Sequence, residues 1–163
     1  MSKEHRRKVE VRPAIITVST TRTEAEDLSG ETIKTLLNEA GLSPVFYRIV
    51  PDQDEAIQQT LFEAMSEGNC IIINGGTGLT PDDRTIEAVR PLLDKEMDGF
   101  GEIFRQYSTR EVGTAVILSR ATAGLISGCA VFCIPGSTKA VRLAVSEIIL
   151  PEIGHILSHA QKK

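Results

Sequence analysis

The chain has 163 residues, 41% hydrophobic and 25% charged, which suits one soluble globular domain and excludes disordered and collagen-like polymers. A net charge of −4, with five Phe, two Tyr and no Trp, argues against a nucleic-acid partner, which calls for a basic surface and stacking aromatics. No apolar run reaches the roughly 20 residues that span a bilayer, and the polar opening is followed by no apolar h-region, so the sequence predicts a cytoplasmic protein with no membrane partner.

Residues 1–12 read as a flexible N-terminal extension, with a basic stretch Lys3-Glu4-His5-Arg6-Arg7-Lys8 that behaves as a solvated arm. Residues 13–163 then form a single α/β domain. Ala14-Ile15-Ile16-Thr17-Val18 is a continuous β-branched run, the pattern of a strand buried on both faces. Ile33, Leu36, Leu37 and Ala40 recur at helical spacing, and Gly41 stands where a C′ glycine ends a helix. Residues 45–50 give a second strand, stopped by Pro51. A helix over 52–67 carries Ile57, Leu61, Ala64 and Met65 on one face. Ile71-Ile72-Ile73 is a third strand, and Asn74-Gly75-Gly76-Thr77-Gly78 turns the chain after it.

Helices over 85–93 and 100–107 follow, and then two strands, 121–126 and 130–134, joined by a Ser127-Gly128 hairpin turn. Pro135-Gly136-Ser137 leads into a long final helix. The alternation predicts a three-layer sandwich: a mostly parallel central sheet, helices on both faces, and a β-hairpin in the C-terminal half serving as an antiparallel edge or a projecting flap. Cys70, Cys129 and Cys133 border or lie within apolar runs and contain no C-x-x-C pair, so they read as buried, inert core residues. His155 and His159 stand four apart, which is metal-ligand spacing on a helix. With no third ligand nearby, they read as two polar residues on an exposed last helix.

Open parallel sheets bind ligands beyond the carboxyl ends of their strands, which singles out four loops. Gly75-Gly76-Thr77-Gly78 follows a buried strand, where glycines allow positive φ and let backbone N–H groups approach an anion. It is neither a Walker A loop nor a dinucleotide fingerprint, and a plain tight turn is the competing explanation. Asp82-Asp83 follows the glycines, and Asp52 opens the loop after the neighbouring strand. Each acid alone could cap the next helix. Together, beside a phosphate cradle, they call for a cation between carboxylate and phosphate, and Mg²⁺ suits oxygen ligands. Pro135, Gly136, Ser137 and Lys139 form a strand-to-helix turn with anion-binding character, or simply start a helix. Ser29 is similarly placed at the first helix. Ser108, Ser119 and Arg120 could hold a phosphate or polar ring.

Asp27-Leu28-Ser29-Gly30, Pro51-Asp52, Gly75 through Asp83 (GGTGLTPDD), Gly99-Phe100-Gly101-Glu102, Leu118-Ser119-Arg120-Ala121 and Pro135-Gly136-Ser137-Thr138-Lys139-Ala140 occur in this order. The pattern resembles the MoaB and MogA proteins of molybdenum cofactor biosynthesis over nearly the whole chain from residue 13, and the last block points to the MoaB branch. The resemblance implies a molybdopterin adenylyltransferase that uses ATP and molybdopterin as substrates with Mg²⁺. Asp52 and Asp83 would be its catalytic and metal-holding acids. Gly75, Gly76, Thr77 and Gly78 would hold phosphate, with Ser29, Asp82, Ser119, Arg120, Pro135 and Lys139 also in the nucleotide- and pterin-binding set. Ser108 and Ser119 would lie nearer the pterin, and Gly136 and Ser137 would line the same pocket. It also implies a homo-oligomer, trimer or hexamer. The family's Arg-Asp-Val-Thr-Pro stands here as Asp82-Asp83-Arg84-Thr85-Ile86, and Thr138 replaces the proline usual in MogA-type members. A non-catalytic molybdopterin-binding module is the alternative, as is a nucleotide enzyme on the related fold of the competence-damage proteins.

Overall fold

The apolar β-branched runs become strands because helices cover both of their faces. The computed structural model describes residues 8–162. Strands β1 (Pro13–Val18) and β3 (Cys70–Asn74) are buried at every position. With β2 (Phe46–Val50), β4 (Lys95–Glu96), β5 (Thr122–Ile126) and β6 (Cys129–Ile134) they form one six-stranded sheet in the order β2-β1-β3-β6-β5-β4. The first four in that order are parallel, while β5 runs antiparallel to β6 and β4 to β5.

The helices are α1 (Leu28–Glu39), α2 (Asp54–Glu67), α3 (Thr85–Val89), α4 (Asp98–Val112), α5 (Thr138–Arg142) and α6 (Leu150–Ala160). Register aligns Ile15 with Ile72 and Ile72 with Phe132, while Ile16, Ile73 and Cys133 align one residue on. Successive residues face opposite sides of a strand, so two cores result. One packs Ile15, Ile72 and Phe132 with Ile33 and Leu37 of α1, Phe100 and Phe104 of α4, and Ile153 and Leu157 of α6. The other packs Ile16, Ile73 and Cys133 with Ile57 and Leu61 of α2 and Ile86 and Val89 of α3. The expected three-layer sandwich is therefore present.

Four details depart from the expected elements. The hairpin is not a flap: β6 enters the sheet as its fourth parallel strand, and the short β4 forms the edge. Its turn uses Ser127 at φ 47° and Gly128 at φ 81°, the two positive values a type I′ turn demands. The helix expected over 85–93 stops at Val89 and tightens into a 3₁₀ turn, Arg90–Leu92, around Pro91. The helix over 100–107 is longer at both ends and passes into a second 3₁₀ stretch, Gly113–Leu118. The final helix is continuous but widens to a π-helix over Leu143–Ile149 between α5 and α6. Pro151 explains the widening, because it has no N–H to donate and its ring crowds the carbonyl four residues earlier.

Residues 1–7, which hold most of the basic stretch, lie outside the described residues. Next to them, Val9 and Val11 pack on the first core. Asn69 secures this segment: its Oδ1 accepts from Arg12 N and its Nδ2 donates to Glu10 O, both at 2.8 Å. No described helix is long and apolar enough to cross a membrane.

Candidate active site

The carboxyl ends of all four parallel strands open into one cleft of about 680 Å³, a volume suited to a small-molecule ligand. Val18, Ser19, Thr20, Thr21 and Arg22 come from the end of β1, Asp52 and Gln53 from β2, Gly75, Gly76, Asp82 and Asp83 from β3, and Gly136 from β6. The strand order turns back between β1 and β3, so the cleft sits at the sheet's switch point.

The glycine turn is shaped by its neighbours. Gly75 and Gly76 have φ of 95° and 69°, a left-handed conformation that a side chain resists. A Cβ on Gly75 would also collide with Val18 O, and one on Gly76 with Thr85 Oγ1. Gly75 N donates to Ile134 O at 2.9 Å, Thr85 Oγ1 donates to Gly75 O at 2.7 Å, and Thr85 N donates to Gly76 O at 3.0 Å. Asp52 Oδ1 would lie 3.3 Å from a Cβ on Gly76, and Asp83 Oδ2 2.7 Å from one on Gly78. Both carboxylates therefore flank the turn.

Neither acid caps a helix. Asp52 Oδ2 accepts from Thr20 Oγ1 at 2.8 Å, and α2 begins two residues later with no side-chain cap. Asp83 Oδ2 accepts from Thr80 N at 3.0 Å and from Thr80 Oγ1 at 2.8 Å, closing its own 80–83 turn. Arg84 makes a paired contact with Asp54, Nε to Oδ1 and Nη2 to Oδ2, each at 2.8 Å. Its charge is directed at α2.

Beneath the cleft lies a buried polar network. Asp27, only 2% exposed, accepts from Thr17 Oγ1 and Tyr47 Oη at 2.6 Å each, from Gly30 N at 3.0 Å and from Ser29 Oγ at 3.3 Å. Arg22 Nη1 reaches Ser29 Oγ at 2.9 Å and Asp27 Oδ1 at 3.5 Å. Burial alone would raise the Asp27 carboxyl, but the hydrogen bonds from Thr17, Tyr47 and Gly30, with the Arg22 charge, outweigh it and hold the group below its ordinary 3.8. Burial first, and then the bond and charge of Asp27, push the Tyr47 phenol above its ordinary value.

The carboxylate also fixes Asn74. Thr17 gives its hydroxyl proton to Asp27, so Thr17 Oγ1 accepts from Asn74 Nδ2 at 2.9 Å, and the same amide donates to Ile16 O at 3.3 Å. Asn74 Oδ1 consequently faces away from the network. It is buried without a partner among the described residues, and it would lie 3.9 Å from a Cβ on Gly136.

A second cleft lies on the other side of the 135–137 turn. It is lined by Ser108, Ser119, Pro135, Ser137 and Lys139, with Phe104 and Val112 among its apolar walls. Ser137 Oγ accepts from Ala140 N at 3.2 Å, capping α5. Arg120 Nε donates to Gly78 O at 2.9 Å while its other nitrogens pair with Glu87. It braces the glycine loop, and its outer side borders a third cleft with Ser119, Arg90 and Arg105.

Residues 14–155 match the family model of a probable molybdopterin binding domain. The chain belongs to the MoaB/MogA family of molybdenum cofactor biosynthesis proteins. It is 45% identical to molybdenum cofactor biosynthesis protein B of Bacillus subtilis (strain 168) over 155 residues, 93% of this chain and 91% of that one. A crystal structure of a molybdenum cofactor biosynthesis protein B superposes with a TM-score of 0.91 at 47% identity, covering 96% of this chain and 99% of the other. The tungsten cofactor synthesizing protein MoaB from Pyrococcus furiosus superposes with a TM-score of 0.84 at 43% identity, covering 93% and 98%.

Within this MoaB/MogA fold, the sequence-predicted residues divide by location. Asp52, Gly75, Gly76, Asp82, Asp83 and Gly136 meet in the strand-end cleft. Ser108, Ser119, Pro135, Ser137 and Lys139 meet in the second. Ser29 joins neither, being buried in the Asp27 network, and Thr77 is buried as well. Sequence reasoning did not single out Asn74, Thr85 or Tyr47. The one local signal was Asp27 three residues before Gly30, the spacing of an N-cap, and Asp27 does cap α1.

Proposed function

We propose that this protein is a molybdopterin adenylyltransferase, transferring AMP from ATP to the terminal phosphate of molybdopterin with release of pyrophosphate. What carries the reading is the placement of Asp52 and Asp83, delivered from two different strands, on either side of one glycine turn. In the reaction a terminal phosphate oxygen of the pterin bonds to the α-phosphorus of ATP, and the bond to the pyrophosphate oxygen breaks. A phosphate monoester is largely ionised at neutral pH, its second pKa being about 6, so the nucleophile requires no strong base. The protein's task is positioning and charge neutralisation.

The turn at 75–78 would hold the nucleotide phosphates through the backbone N–H groups of 76–78, the Gly75 N–H being taken by Ile134 O. Ser108 and Ser119, across the 135–137 turn, would hold the pterin side. Mg²⁺ fits the oxygen donors Asp52 and Asp83, and bound there it would neutralise phosphate charge. No group of three or more His, Cys, Asp or Glu converges among the described residues, so phosphate oxygens and water would complete its shell, as is usual for this ion. Arg120 acts one step back, holding Gly78 and so the shape of the loop. The same reading makes the protein a homo-oligomer, trimer or hexamer, supported by the exposed apolar residues Val112, Ile117 and Leu118.

The test mixes purified protein with molybdopterin, ATP and Mg²⁺ and follows pyrophosphate together with the mass of the pterin. Pyrophosphate released only when pterin is present is the expected result, and Asp83→Asn should abolish it while leaving the circular dichroism spectrum unchanged. Tight pterin binding with no pyrophosphate would instead make the protein a non-catalytic molybdopterin-binding module. Turnover retained in Asp83→Asn would remove that residue from the mechanism.

A further inference from the structure

We propose that His155 and His159 form a clamp for a divalent transition-metal ion of the Zn²⁺, Ni²⁺ and Co²⁺ class on the outer face of α6. The two imidazole Nε2 atoms stand 3.1 Å apart, with the rings inclined at 67°. With a metal–nitrogen bond of about 2.05 Å, that separation corresponds to a ligand–metal–ligand angle of about 98°. This lies between the octahedral and tetrahedral values, so one ion can take both nitrogens with little ring movement.

A carboxylate stands behind the first ring. Glu152 Oε2 lies 3.3 Å from His155 Nδ1, the arrangement in which an acid holds the Nδ1 proton and leaves Nε2 free to bind a metal. The backbone that carries the pair is fixed. Ile153 and Leu157, on the opposite face of α6, are buried in the core, and Ser158 Oγ donates to His155 O at 2.8 Å. Without an ion the two Nε2 atoms make a single contact with each other, and an ion replaces that one contact with two bonds. Imidazole ligands suit the borderline transition metals, whereas Mg²⁺ selects oxygen, so the clamp does not duplicate the Asp52 and Asp83 site. It supplies two protein ligands, leaving the remaining positions to water, and no residue of α6 lines the strand-end cleft.

The test titrates the tag-free full chain with Ni²⁺ and Zn²⁺ by calorimetry and records the Co²⁺ visible spectrum. One ion per chain in the micromolar range is expected, with no thiolate charge-transfer band. His155→Ala and His159→Ala should each weaken binding at least tenfold, Glu152→Gln should weaken it several-fold, and His5→Ala should leave it unchanged. The ion should also raise the Tm of the parent and not that of the two α6 histidine variants, since it ties the last turn of the helix. Affinity unchanged in both α6 histidine variants, a cobalt–thiolate band, or no binding up to millimolar metal would each overturn the clamp. Pyrophosphate release is read separately, so the adenylyltransferase reading stands or falls independently.

Discussion

Asp27 is a carboxylate in the interior that keeps its charge because several donors converge on it. The donors come from β1, β2 and the start of α1, so the residue ties three elements together directly under the cleft. Asp27→Asn keeps the shape but turns an amide N–H₂ toward groups that also donate, a mismatch expected to cost about 2–4 kcal/mol. The pH dependence follows from the direction of the shift. A carboxyl held below its ordinary 3.8 in the folded state contributes stability that is fully present above that value and is lost as pH falls through the lower folded value. Urea midpoints measured from about pH 6 down to pH 3 should therefore fall at the acid end, with a shallower fall in Asp27→Asn. Equal slopes would exclude Asp27 as the titrating group. The three cysteines show the opposite logic: burial pushes Cys70 and Cys133 up to about 12, so neither is a thiolate at neutral pH, as their apolar surroundings in sequence imply. Cys129 is only half-buried, next to the hairpin turn.

At the scale of elements, α3 shows what sequence could and could not disclose. Its start at Thr85 is legible from the apolar spacing that follows. Its purpose is not, because the partners of Thr85 lie ten residues back and become neighbours only when the glycine turn folds over. This five-residue helix holds the turn at both ends, through Thr85 at Gly75 and Gly76, and through Glu87 and Arg120 at Gly78. Thr85→Val removes the hydroxyl at constant volume and leaves Gly75 O short of a donor, at a cost of about 1–2 kcal/mol. Since the loosened part is the turn that the proposed reaction assigns to the nucleotide phosphates, the KM for ATP should rise more than kcat falls in the pyrophosphate assay. A change in kcat alone would mean that the hydroxyl serves the chemical step and not the loop. The same contrast runs through the other elements. β1 and β3 announce themselves as runs rich in β-branched residues because burial on both faces favours apolar side chains, and their two buried polar residues, Thr17 and Asn74, are tolerated because they bond to each other. The two residues of β4 carry no pattern at all, and the π-helical stretch was signalled only by Pro151 within an otherwise regular helical period.

At the scale of the molecule, a polar cleft and a mainly apolar one meet at the 135–137 turn, and an uncovered apolar ridge runs alongside the second. Neither the division into two clefts nor the sheet order that creates it was legible in sequence. Gly136 and Ser137 are adjacent in the chain, yet they face different clefts because the turn between β6 and α5 reverses there. The ridge is the passage from α4 into the following 3₁₀ stretch, where Val112 is 52%, Ile117 77% and Leu118 55% exposed. Neighbouring Val112, Ala115 and Val116 wall the Ser108 and Ser119 cleft, so a second copy seated on the ridge would also shape that cleft. Apolar side chains contribute about 25 cal/mol for each Å² removed from water, which favours such a contact over exposure to solvent. Sedimentation equilibrium should accordingly give a mass that is a multiple of the 17.7 kDa chain. Ile117→Asp should shift it toward the monomer without lowering the Tm of the isolated fold, because Ile117 makes no part of either core. If copies complete the second cleft, the dissociated variant should bind molybdopterin more weakly while its affinity for ATP, which the proposed reaction places at the glycine turn, stays the same. A monomeric parent would place the ridge outside any self-association, and equal loss of both ligands would mean that the substitution had disturbed the sheet.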